Sequence, residues 1–285
     1  MNVRQFIALI RIPSLTATIV PLLVGGIIAR RAGSFSLLFW ILMFVASLSM
    51  QIGVNVFNEH GDFIKGIDRT VSHGFAGVIV SGQATASEIL FIAILFYIIS
   101  AIIAIPLVLY RGALILIMGL AASIVGVLYS EGPLPLSATP FGEIFVGLVM
   151  GLMEIIATEF VSCGRITYLA YLTSVPISIL VASILVANNI RDIDKDREAG
   201  RKTLVVIMGA RYSRIIYYGM ILLSYCWLPI MYLLTRRIFI NLPLLTLPIA
   251  VLGFIMLRKN GWKLGVEISS AIYLLYGITL AVSIL

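Results

Sequence analysis

Two short stretches of this chain concentrate oxygen ligands. The first is Asn58-Glu-His-Gly-Asp62-Phe-Ile-Lys65-Gly66-Ile-Asp68; the second is Asn188-Asn189-Ile-Arg-Asp192-Ile-Asp194-Lys-Asp196. Residues three or four apart share one face of a helix. Asn55, Asn58 and Asp62 fall at i, i+3 and i+7, and Asn188, Asp192 and Asp196 at i, i+4 and i+8. Each series is therefore expected to form a polar stripe. Asp68 follows Gly66 and returns from a turn, whereas Asp194 points off the stripe and suits a surface ion pair with Arg191 or Arg197. Carboxylate and amide oxygens favour hard cations, and Mg²⁺ takes one or two protein carboxylates while water and substrate phosphates complete its shell. Two facing Asp stripes point to two Mg²⁺ ions bridged by a diphosphate, without which the clustered carboxylates repel one another. Lys65, Arg69, Arg197, Arg201 and Lys202 flank the motifs and can reach phosphate oxygens. The same residues also read as ordinary flanking charges of cytoplasmic loops.

The elements that carry these motifs are membrane helices. Hydrophobic residues make up 61% of the 285 and charged residues only 12%, with a mean hydropathy of +1.10. That composition excludes an ordinary soluble domain. Nine apolar runs are long enough to span a bilayer as helices: 13–30, 37–57, 87–109, 112–130, 141–160, 166–188, 213–235, 239–257 and 264–285. The runs are continuous rather than alternating, which argues against a β-barrel. The third and fourth are divided only by Tyr110-Arg111-Gly112. An Asp at the centre of a membrane helix costs about 2.5–3.5 kcal/mol, so the motifs belong at helix ends. One follows the second run and the other the sixth, and each begins with Asn four residues before an Asp. The expected fold is an all-α integral membrane protein, one domain over 1–285. Two four-helix halves and a last helix surround a central cavity. Chance similarity of the two motifs is the alternative to a duplication.

Charge gives orientation. With nine spans and the N-terminus inside, 14 of the 20 basic residues fall on the cytoplasmic side, seven of them in the loop after the sixth span. This follows the positive-inside rule and places both motifs at the cytoplasmic face of the cell membrane. The first apolar run is followed by no short-h-region cleavage site and is expected to be retained as a span. No soluble basic domain exists to bind nucleic acid. Cys163 and Cys226 lack metal spacing, and His60 and His73 are too few for a histidine site. The connector from Tyr129 to Glu143 carries three prolines and cannot be helical throughout.

A diphosphate at the mouth of a membrane cavity suggests an isoprenoid ester. Metal and basic residues would stabilise the departing diphosphate, and an apolar, aromatic-lined cavity would shield an allylic cation from water.

Three segments carry a family resemblance. They are Asn58-x3-Asp62-x2-Lys65-Gly66-x-Asp68; Tyr129-Ser-x-Gly-Pro-x-Pro-x4-Pro-Phe-Gly-Glu143; and Asn188-Asn-x-Arg-Asp-x-Asp-x-Asp-Arg-x-x-Gly-x-Lys-Thr-Leu204. Arg11-Ile-Pro13-Ser-Leu and Pro21 fit as well. Together they resemble the UbiA-type intramembrane prenyltransferase superfamily, closest to the branch that prenylates 1,4-dihydroxy-2-naphthoate for menaquinone. The resemblance covers nearly the whole chain. It implies nine transmembrane helices around a cavity, Mg²⁺ dependence, and prenyl transfer from a diphosphate to a lipophilic or aromatic acceptor amid membrane lipid. It further implies that Asp62, Asp68, Asp192 and Asp196, with Asn58 and Asn188, hold the metal–diphosphate, and that Tyr129 lies near the reacting carbon. One stretch departs from the branch, which usually reads Gly-Thr-Tyr-Tyr-Val-Gln where this chain has Ala157-Thr158-Glu159-Phe160-Val161-Ser162, with Glu154 one turn before. The two acids either serve a different acceptor or lie at the outer face. Geranylgeranyl transfer to a glycerol-phosphate ether lipid is the alternative within the class. A divalent-cation transporter is the alternative outside it, and would place its acids mid-membrane on a two-sided path.

Overall fold

The computed structural model describes residues 3–67 and 77–285. Asp68 and Arg69 therefore lie outside the described residues. Among those described, nine helices are long and apolar enough to cross a membrane: Ile12–Ala32, Leu37–Ile64, Ala86–Arg111, Ala113–Ser130, Gly142–Cys163, Tyr168–Arg191, Leu204–Thr235, Ile238–Lys259 and Gly265–Ile284, hereafter spans 1 to 9. No strand occurs among the described residues. Local chemistry sets several ends. Ser36 caps span 2, Thr85 and Glu88 form a reciprocal capping box on span 3, and Thr203 caps span 7. Gly112, at φ 81, breaks the chain between spans 3 and 4, the division expected there.

Three elements depart from the expected runs, and span 2 is one of them, staying helical to Ile64 rather than ending at 57. Span 7 begins at Leu204 rather than 213, bent at Gly209 (φ 79), because a short apolar run precedes Arg211 and Arg214. A further short helix, Val3–Ile10, precedes span 1.

Spans 1, 5, 6, 7 and 9 share the largest buried cluster, with Val24, Ile155, Leu180, Tyr217 and Tyr273 among its members. Spans 2 and 3 form a second, through Val56, Phe57, Ile89 and Ala93. In each half the second span packs extensively on the third: 2 on 3, and 6 on 7. Each motif thus ends the corresponding helix of its half. Span 9 closes the ring against span 1, where the Tyr273 hydroxyl donates to the Ala17 carbonyl at 3.2 Å. Outward residues such as Phe91, Ile102, Leu109 and Ile117 are exposed, as a lipid-facing surface requires.

Small residues set the closest helix approaches. A Cβ on Gly277 would stand 2.2 Å from Val20 Cγ1. Gly277→Leu should therefore force spans 1 and 9 apart at a cost of about 1–3 kcal/mol. A lower melting temperature in detergent checks this; an unchanged one would contradict the packing.

Candidate active site

Span 2 stays helical to Ile64, so Asn55, Asn58 and Asp62 share one face, as their spacing predicts. Their roles differ. The Asn55 amide donates to the Ile10 carbonyl at 2.7 Å and to Ser14 Oγ at 2.8 Å, tying down the entry to span 1. Asn58 accepts from Arg11 Nη1 at 2.6 Å and donates to Ser130 Oγ at 3.1 Å. Arg11 has left-handed backbone (φ 52), a conformation costing about 1–2 kcal/mol in a non-glycine residue. Its guanidinium meets Asn58 and lies 3.7 Å from the buried Glu59 carboxylate. The Lys65 ammonium donates to the Ser130 carbonyl at the end of span 4.

The second motif departs from the continuous stripe expected of it. Span 6 ends at Arg191, Asp192 leaves the helix (φ −100, ψ 11), and a short helix resumes over Ile193–Glu198. Arg191 folds back at the break, its Nε and Nη2 donating to the two oxygens of Asp192 at 2.9 and 2.7 Å. The same Nη2 donates to Asn188 Oδ1 at 2.8 Å. Asp196 is buried. Gly200, at φ 73, turns the chain so that the Arg201 amide donates to the Asp196 carbonyl at 2.9 Å. Arg201 then joins the two motifs: its Nη1 donates to Asp196 Oδ1 at 3.1 Å, and its Nη2 pairs with Asp62. The end of span 2 and the segment after span 6, which carry the two motifs, thus meet at Arg201.

The proline-rich connector stitches both motifs together. Ser130 receives Asn58, Glu143 Oε1 accepts from Asn189 at 2.9 Å, and the Ala138 carbonyl accepts the Lys202 amide at 2.9 Å. Asn58, Asp62, Tyr129, Asn188, Asp192 and Arg201 line one cavity of about 900 Å³. Asp196 stands behind Arg201, outside that lining. Arg197 and Lys202 are exposed and do not line the cavity; Arg197 pairs with Asp194 at 3.2 Å, the surface pair that suited Asp194. Arg11 and Arg191 line the cavity but were absent from the expected site. Arg11 belongs to the Arg11-Ile-Pro13-Ser-Leu segment and Arg191 to the second motif, so the sequence carries the signal for both.

Burial pushes the Asp196 carboxyl up to about 6; Arg201 pulls the other way, while Asp192 and Asp62 add to the rise. Burial opposes the Arg201 charge, yet Asp62 and then Asp196 hold its guanidinium above the ordinary value. Among the described residues no three His, Cys, Asp or Glu side chains make a preformed metal cage. The donors are nevertheless all oxygen, and Arg201 shows that Asp62 and Asp196 converge on a single cation. A Mg²⁺ that takes one or two carboxylates and shares phosphate oxygens fits this set.

The two acids of span 5 separate. Glu154 lines the cavity, as does Ser47 of span 2. Glu159 is buried and accepts from the Thr167 amide at 3.0 Å, fastening the turn that leads into span 6.

The description "UbiA prenyltransferase family" matches residues 18–274 of the chain. The chain is 36% identical over 214 residues to the 1,4-dihydroxy-2-naphthoate octaprenyltransferase of Bacillus subtilis (strain 168), covering 75% of this chain and 69% of that protein. It is 30% identical over 245 residues to UbiA prenyltransferase domain-containing protein 1 of Xenopus tropicalis, across 83% of this chain and 69% of that one. A solved UbiA homologue from Archaeoglobus fulgidus, bound to GPP and Mg²⁺, has a similar fold. Its TM-score is 0.70 at 18% identity, over 98% of this chain and 99% of that one.

Proposed function

The chain belongs to the UbiA prenyltransferase family and is an integral-membrane prenyltransferase; we propose that it moves an isoprenoid chain from its diphosphate onto 1,4-dihydroxy-2-naphthoate or a similar aromatic quinone precursor. One observation carries the reading. Carboxylates from both motifs converge on Arg201 at the polar end of a cavity whose remaining wall is mostly apolar. An anionic head with a long apolar tail matches that division. The Bacillus subtilis relative's naphthoate acceptor supports the choice of acceptor.

Asn58, Asp62, Asp68, Asp192 and Asp196, with Asn188, would hold Mg²⁺, as two ions. The metal supplies positive charge to the departing diphosphate. Arg201 and Arg191 offer guanidinium N–H groups to phosphate oxygens, and Lys65, Arg69, Arg197 and Lys202 are proposed as further cationic partners of the diphosphate. Tyr129 stands on the wall where the reacting carbon would lie. The apolar chamber keeps water from the allylic cation. As the C–O bond breaks, its electron pair leaves with the diphosphate. The ring carbon bearing the carboxylate then forms the new C–C bond, and CO₂ departs as the ring regains aromaticity. A guanidinium lodged between the motif carboxylates opposes the cation-transport alternative, because it repels a bare divalent ion.

The reading is tested with purified protein, Mg²⁺, labelled geranylgeranyl diphosphate and a panel of acceptors, followed by product mass. A prenylated, decarboxylated naphthoate is expected. Transfer only to a glycerol-phosphate ether lipid, or ion flux in liposomes without transfer, would overturn it.

The site is further proposed to face the cytoplasm at the cell membrane. Single cysteines at Gln83 and Arg211, both exposed, would replace Cys163 and Cys226 as the only thiols. Both should resist a membrane-impermeant reagent in intact cells and react after permeabilisation. Labelling of both from outside would reverse the topology.

A further inference from the structure

Glu154 is a carboxyl group deep in a mostly apolar chamber. Span 5 changes from α to π over Gly147–Met153 immediately before it. Such segments shift helix register and recur at functional sites. Met150, Met153, Glu154 and Ala157 all line the cavity, and Ser47 lines it from span 2. The cavity's basic lining residues are Arg11, Arg191 and Arg201, which all lie at the motif end. Among the described residues Glu154 thus has a hydroxyl neighbour but no cationic one. An ionisable group at that depth is expensive, which marks it as functional.

Its depth can be measured along two helices. Ser47 precedes Asp62 by fifteen residues on span 2, roughly 22 Å at 1.5 Å per residue. Glu154 follows Glu143, the partner of Asn189, by eleven residues on span 5, at most roughly 17 Å, because the π segment between them rises less per residue than an α-helix. An extended isoprene unit of four bonds near 1.5 Å advances about 5 Å. Glu154 therefore stands about four isoprene units from the diphosphate end, too far to touch the reacting carbon or an acceptor beside it. Met43, Leu107 and Ile115 also line the cavity and give it further apolar wall. We propose that Glu154, with Ser47, is a specificity-determining polar stop that limits the donor to about four isoprene units. A longer chain that continues past this depth along span 5 lays C–H groups against a carboxyl and a hydroxyl that they cannot hydrogen-bond. This inference rests on the placement of the diphosphate at Asp62 and Asp192.

The test compares donors of two to eight isoprene units on the full chain, by direct binding of each diphosphate and by turnover. The wild-type protein should favour the four-unit over the eight-unit donor by about tenfold or more in both measures. Glu154→Leu should move that ratio about tenfold toward the eight-unit donor, whereas Glu154→Gln, which keeps a polar group, should move it less than about threefold. An unchanged ratio in Glu154→Leu, or equal use of both donors by the wild type, would overturn the stop. Binding without transfer to naphthoate would refute the acceptor reading alone, while the binding ratios still judge Glu154. Failure to bind any prenyl diphosphate would sink both.

Discussion

Asp62→Ala and Asp192→Ala should each lower kcat/KM for prenyl transfer by about 10²–10³-fold or more, the loss expected when a preorganised charge-stabilising group is removed. The two substitutions act through different contacts. Asp62 is buried and pairs with Arg201, so its removal frees that guanidinium from one motif and deletes a proposed metal ligand. Asp192 is held by both donors of the Arg191 fork, and its removal releases Arg191 toward Asn188 alone. Both changes leave the departing diphosphate less well compensated. Activity should respond to added Mg²⁺ with a raised half-saturation in any variant retaining turnover. Near-normal turnover of either protein at low micromolar Mg²⁺ would remove the two-cluster site from consideration. Monodisperse elution in detergent separates lost chemistry from lost folding.

The sequence made some of this legible because it depends on local periodicity. Nine apolar runs of bilayer length, the division at Gly112, and the shared face of Asn58 and Asp62 all follow from repeat and spacing. What remained hidden depends on contacts distant in sequence. Asp62 and Arg201 are separated by 139 positions, and no periodicity announces that one guanidinium joins them. Spacing alone made Asn188, Asp192 and Asp196 a single stripe. The bidentate fold-back of Arg191 accompanies a break at Asp192, so Asp196 reaches the site from a separate short helix. Spacing also gave Asn55 to the ligand stripe, where tertiary contact assigns it to the Ile10 carbonyl. Glu154 and Glu159 read alike as acids in one span. Only the tertiary cavity and the turn before span 6 tell a cavity wall from a backbone fastening.

Arg201→Met should damage stability and activity together, and the two effects can be separated. The substitution leaves the buried Asp62 and Asp196 carboxylates without their shared guanidinium. Removing one partner of such a buried arrangement costs about 3–5 kcal/mol, because the remaining charges are uncompensated. In chelator-treated protein the melting temperature should fall clearly. Adding Asp62→Asn to Arg201→Met should recover part of that fall, since a neutral amide relieves the repulsion. Activity should not return, because neither the carboxylate nor the guanidinium is restored. The pH dependence has a definite sign. Asp196 is already raised to about 6 by burial, ahead of the opposing pull of Arg201. An acid raised in the folded state binds more protons there than when unfolded, so its contribution to stability falls as pH rises from the ordinary carboxylate range through the folded value. Loss of Arg201 removes the group that lowers that value, so the window extends upward. The melting-temperature gap between wild type and Arg201→Met should therefore be smaller at pH 5.5 than at pH 8. A gap independent of pH, or no rescue by Asp62→Asn, would mean that Arg201 supports the fold through packing rather than through the two carboxylates.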